Sequence, residues 1–185
     1  TSAHFALTIP DNTWTAESMP PTMIHEIGHW IGILHSPMMG SVMSYNSIGD
    51  ANGLGDLSKN LSSDDICCIS EMYPTATWTA KTGDIYGALK VDGSNAHYAA
   101  VGAYNSDGIC VAVTVSMSGK YRLDSLPVGT YTIKCYPLAD GSNWGLQSSE
   151  SMFSNVTSAV FTSTASDDLA GVVVSAGQTT TTTEI

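Results

Sequence analysis

The sequence predicts an α+β chain in two parts: a helix-based front part over residues 1–74 and an all-β sandwich over residues 75–185. Three observations predict it. An apolar run of helical period follows Pro20 and Pro21, and cap and stop residues bracket a second helix in "LSSDDICCISEMYP". From Thr75 onward the helical period gives way to short runs rich in Val, Tyr, Ile and Thr, separated by Gly, Asn, Asp or Pro.

The chain opens with "AHFALTI", an alternating strand-like run, and the turn "PDNTW". Pro20 and Pro21 suit a first helical turn, where the missing N–H is unpaired in any case. Ile24, Ile27 and Ile31 recur at i, i+3 and i+7 and predict a buried stripe, with His25 and His29 beside it. Gly32 ends that pattern, and "HSPMMGSVMSYNSIGDANGLGD" reads as a long irregular loop, of a length that usually serves function. Ser62 or Ser63 can cap the second helix, Asp64 and Asp65 complement its dipole, and Pro74 stops it. The runs "DIYGALKV", "YAAVGAYN", "ICVAVTVS", "KYRLDSL", "TYTIKCYPL", "AVFTS" and "LAGVVVSA" supply about seven strands, the number a β-sandwich needs. Pro127 and Gly129 predict a tight turn between two of them. The tail "GQTTTTTEI" reads as a last strand or a linker.

Charge excludes some functions. With 17 acidic residues against 6 basic ones the net charge is −11, and no Lys/Arg cluster exists to neutralise nucleic-acid phosphates or an anionic membrane. No apolar run approaches the roughly 18–20 residues that span a bilayer, and no basic-then-apolar leader opens the chain. A soluble, secreted, extracellular protein is expected, with any export signal removed or upstream. Of the four cysteines, Cys110 and Cys135 are the pair best placed for a disulfide; Cys67 and Cys68 are adjacent on a helix, one facing inward. The alternative is that all serve as small buried hydrophobes.

The chemistry concentrates in "HEIGHWIGILH". His25 and His29, four apart, project from one helix face and can share a metal ion. A third ligand ten residues after the first needs the chain to turn, and Gly32 sits where a left-handed backbone would let it. His35 can then complete a three-histidine set with a fourth position open for water, the arrangement of a catalytic zinc site. Glu26, about 100° around the helix from His25, can reach that water as general base and then proton donor. His4 and His97 have no partner at ligand spacing and read as structural histidines.

These residues match the pattern H-E-x-x-H-x-x-G-x-x-H, and "SVMSY" after them looks like a Met-turn, so the front part resembles the metzincin metalloproteases. Ser36, the short step to Met43, and "LSSDDICCISEMY" look most like the matrixin branch. The resemblance implies a zinc-dependent endopeptidase with His25, His29 and His35 as ligands, Glu26 as base and Met43 beneath the metal. Tyr45 stands where some relatives carry a tyrosine that ligates zinc or stabilises the transition state. Calcium, which matrixins often need, is a second candidate ion. Relatives carry on the order of a hundred residues ahead of the zinc helix and this chain has 24, so a truncated metzincin-type zinc-helix subdomain is expected, a fragment or one completed by another chain.

The second part is similar to the carboxypeptidase regulatory-like (transthyretin-like) sandwiches, with "GKYRL" and "LPVGTYTI" in the matching places. It holds no clustered carboxylates, nucleophile or phosphate loop, which implies a structural or adhesive role. Three functions compete: an endopeptidase acting on protein or peptide; a non-enzymatic assembly, fibre or adhesion subunit that retains zinc and self-associates; and a module whose sandwich binds glycan or protein.

Overall fold

The structure, a computed structural model, describes residues 19–36, 38, 41–44, 61–137 and 167–185. The run "AHFALTI" with His4, Tyr45, the rest of the long loop and the run "AVFTS" lie outside the described residues. No helix among the described residues is long and apolar enough to cross a membrane.

The α+β class holds. Helices α1 (Met19–Trp30), α2 (Ser63–Met72) and α3 (Ala76–Thr79) precede strands β1 (Thr82–Ala88), β2 (Lys90–Val91), β3 (Ser94–Asn95), β4 (Ala99–Tyr104), β5 (Cys110–Val115), β6 (Lys120–Pro127), β7 (Gly129–Pro137), β8 (Leu169–Val174) and β9 (Thr179–Thr181). One sheet has the order β6-β1-β9, the other β5-β4-β7-β8, and β2 and β3 form a small hairpin. Ile85, Leu123 and Leu126 of the first sheet and Val101, Ile133 and Val174 of the second belong to one buried cluster, so both sheets turn an apolar face to the same core. Alternation along β6 shows how: Tyr121 and Leu123 point in while Lys120 and Arg122 point out.

A bulge then breaks the period. Gly83 pairs with Leu126 but Ile85 pairs with Leu123, so Asp124 and Ser125 face the single residue Asp84, and Ser125 takes a φ of 54°. The bulge turns Ser125 toward α2, where its hydroxyl donates to Glu71 at 3.0 Å. Helix α2 packs against β5 and β6, an edge strand of each sheet, and puts Cys67 into the shared core. It thus covers two edges whose unpaired backbone groups would otherwise face solvent.

Several expectations need correction. Cys110 and Cys135 do not pair, and all four cysteines are free thiols. Strand β4 lies between β5 and β7, which puts two inter-strand spacings, about 9–10 Å, where a disulfide tolerates about 7 Å. Cys67 faces inward and Cys68 is exposed, as expected. Pro127 and Gly129 do not close a hairpin, because β6 and β7 belong to different sheets; the chain crosses the core there, and Tyr131 Oη–H donates back to the Pro127 carbonyl at 2.8 Å. The tail is a strand: β9 runs parallel to β1, Asp84 opposite Thr179, and Ile185 packs on the core. Thr179, Thr180 and Thr181 are therefore held within the chain, against Asp84, Ile85 and Tyr86. Helix α3, one turn capped by Thr75, has no periodicity to announce it.

Candidate metal centre

Helix α1 carries His25 and His29 one turn apart, with their Nε2 atoms 3.1 Å from each other. The helix ends on Gly32 at φ 103°, with Gly32 N–H donating to the His29 carbonyl at 3.0 Å and Ile33 N–H to the Gly28 carbonyl at 2.9 Å. This pair of bonds is a Schellman cap, which reverses the chain just past the helix. The reversal brings His35 Nε2 to 3.2 Å from that of His25 and 3.1 Å from that of His29.

The ring orientations are set from behind. His25 Nδ1–H donates to the Val42 carbonyl at 2.7 Å and His29 Nδ1–H to the Ile33 carbonyl at 2.9 Å. A carbonyl only accepts, so these two nitrogens carry the protons and the Nε2 atoms point lone pairs at His35. Such lone pairs repel one another unless a cation lies among them. A tetrahedral ion with bonds of about 2.0–2.1 Å sets its nitrogens about 3.3 Å apart, close to the triangle observed. The donor set therefore fits zinc.

Val42 and Met43 belong to a turn in which Ser44 N–H donates to the Ser41 carbonyl at 3.1 Å. Met43 is 2% exposed and packs with Ile24, Ile31, Ile33 and Ile69. Gly28 makes room for it, since a Cβ there would overlap Met43 Sδ. The inward face of α1 is consequently that of His25, at 3% exposure, and Gly28. Ile27, expected in the buried stripe, is 50% exposed. Gly28→Ala should gain helix propensity yet lose about 1–3 kcal/mol from overpacking. Thermal denaturation measures this, and the loss caused by Gly28→Ala should be smaller when it is made in a Met43→Ala background.

Two aspartates of α2 organise the turn. Asp65 closes a capping box with Ser62 and also accepts from Ser41 Oγ–H at 2.5 Å, Val42 N–H at 3.0 Å and Met43 N–H at 3.2 Å. Asp64 accepts from Ser36 Oγ–H at 2.5 Å and Val113 N–H at 2.7 Å. Both are buried, so their part exceeds the expected dipole complement. Only the spacing Ser62-x-x-Asp65 signalled this in the sequence, as a capping box.

Burial pushes the Asp64 carboxyl up from 3.8 to about 6, against the opposing pull of its two hydrogen bonds. A folded value above the unfolded one means the protonated form favours folding. The stabilisation is full below pH 3.8 and is lost as pH rises through about 6, a change of roughly 3 kcal/mol. Asp64→Asn is neutral at every pH and should abolish it. Urea unfolding of both proteins with chelator at pH 4 and 7 reads the difference; parallel pH dependences would refute it.

Glu26 is exposed on α1 next to His25. His97 is exposed and accepts from Ser118 N–H, away from the trio. Against the expectation that the β-rich part holds no clustered carboxylates, its Asp84 and Asp124 group with Glu71 around Arg122, whose guanidinium bonds Asp84 and Asp124 and already supplies positive charge.

Residues 5–74 match the family model of the matrixins, Peptidase_M10, well under half of the chain but including all three clustered histidines. No match was found among curated proteins.

Proposed function

We propose that the chain is a zinc-dependent endopeptidase of matrixin type, secreted, acting on extended protein or peptide substrates. The observation that carries this is the triangle of Nε2 atoms at 3.1–3.2 Å, with its rings fixed by backbone carbonyls, inside the matrixin-like stretch. His25, His29 and His35 would hold the ion. Zinc there would supply a water with a pKa near 7 and a Lewis acid for the scissile carbonyl. Glu26, following a ligand on the helix, takes the proton of the attacking water and returns it to the departing amine. Tyr45 is assigned to the developing oxyanion, to which its hydroxyl can donate. Met43 and Gly28 keep the floor of the site closed. The β-rich residues 75–185 are of carboxypeptidase regulatory-like type and have a supporting role.

A second proposal, an assembly subunit that retains zinc, is favoured by one observation. Met23, Ile27, Trp30 and Leu34 are all at least half exposed and recur at i, i+4, i+7 and i+11 along α1 and its cap, an apolar stripe of the kind that another surface covers.

The deciding experiment incubates the full chain, loaded with one equivalent of zinc, with an unfolded protein substrate. Cleavage that stops with a chelator and returns with zinc supports the endopeptidase. Retained zinc without cleavage leaves the assembly subunit.

A further inference from the structure

We propose that the β-rich half is part of the scaffold of the metal site and acts on it through Asp64, a positioning residue. The inference rests on the zinc reading of the three histidines and not on hydrolysis.

Strand β5 is an edge strand, and its Val113 N–H lies on the open side of the sheet. That amide donates to Asp64 Oδ1 at 2.7 Å, and the other carboxylate oxygen takes the Ser36 hydroxyl at 2.5 Å. Ser36 directly follows His35. Its backbone N–H donates to the Met43 carbonyl at 2.8 Å, and its Oγ accepts from Met38 N–H at 3.0 Å. The residue after the third histidine is thereby tied to the turn beneath the site and, through one buried carboxylate, to a strand of the other half. A second tie, Ser125 Oγ–H to Glu71, and Cys67 in the shared core keep α2 in register with those strands.

A buried carboxylate with one of its two donors removed must turn or take up a proton, and either change loosens Ser36. His35 then loses orientation while His25 and His29 keep theirs. Outer partners of metal ligands are worth about 10–100-fold in affinity; for a tie one residue removed, about tenfold is expected.

The test measures zinc affinity of the full chain by competition with a chromophoric chelator, together with the visible absorption of the cobalt(II) form, which reports ligand geometry. Val113→Pro removes the amide at an edge position where proline is tolerated. Ser36→Ala removes the hydroxyl and touches no strand. Each should weaken zinc about tenfold and alter the cobalt bands, and the double variant should be no weaker than the weaker single one, because both act through Asp64. Wild-type affinity and spectrum in folded Val113→Pro would overturn the proposal. Should that variant not fold, wild-type values in Ser36→Ala overturn it alone. A chain that binds zinc and cleaves nothing removes the endopeptidase and leaves this result as it stands.

Discussion

Glu26→Gln is expected to lower peptide hydrolysis by about 10² to 10⁴-fold while one zinc per chain is retained. Glutamine keeps the size of the side chain and cannot take a proton from water. The separation between rate and metal content follows from the structure: the three Nε2 atoms converge without Glu26, whose side chain is exposed on the helix. His25 and His29 are oriented by Val42 and Ile33 carbonyls, which the substitution leaves in place. Metal analysis alongside initial rates checks both halves. A glutamine variant that cleaves as fast as the parent would assign the base to another group.

Asp65→Ala is expected to have the largest effect on stability, about 3–5 kcal/mol. Its carboxylate accepts from the Ser62 amide and hydroxyl, the Ser41 hydroxyl and the Val42 and Met43 amides. Truncation leaves the buried Ser41 hydroxyl and Val42 amide without an acceptor, while Met43 N–H keeps Ser41 Oγ at 3.0 Å, and each such loss costs about 1–3 kcal/mol, though not additively. Ser62→Ala, which breaks the cap alone, should cost only about 1 kcal/mol. For a chain of this size the Asp65 variant should melt roughly 10 °C lower. It should also hold zinc more weakly, since the Val42 carbonyl that orients His25 hangs from the same turn. Calorimetry with and without chelator separates the two effects, and a shift no larger than that of Ser62→Ala would refute the assignment.

The histidine triangle was legible because its geometry is local. Two histidines four apart share a helix face whatever surrounds them, and a glycine at the helix end needs only its own backbone to reverse the chain. The strand runs were legible for the same reason, as period-two alternation does not depend on which strands pair. What depended on distant partners was not. The inward face of α1 is chosen by Met43 and Gly28, so Ile27 faces out against its spacing. Cys110 and Cys135 stand in similar strands, but only the sheet order puts β4 between them. Asp64 and Asp65 have the same local signature as any acidic helix start, and their reach to Ser36, Val113 and the turn at 41–44 exists only once α2 has docked.

The parallel pairing of β1 with β9 has a kinetic side. Asp84 and Thr179 are joined across a loop of on the order of a hundred residues, whereas Asp64 reaches Val113 across about half that separation. Loop closure costs more entropy as the loop lengthens, and non-local strand pairing is slow. Refolding is therefore expected to set the carboxylate ties around the histidines before the last strand seats, at the sheet edge away from α2. Zinc uptake should accordingly be complete while the slowest spectroscopic phase is still running.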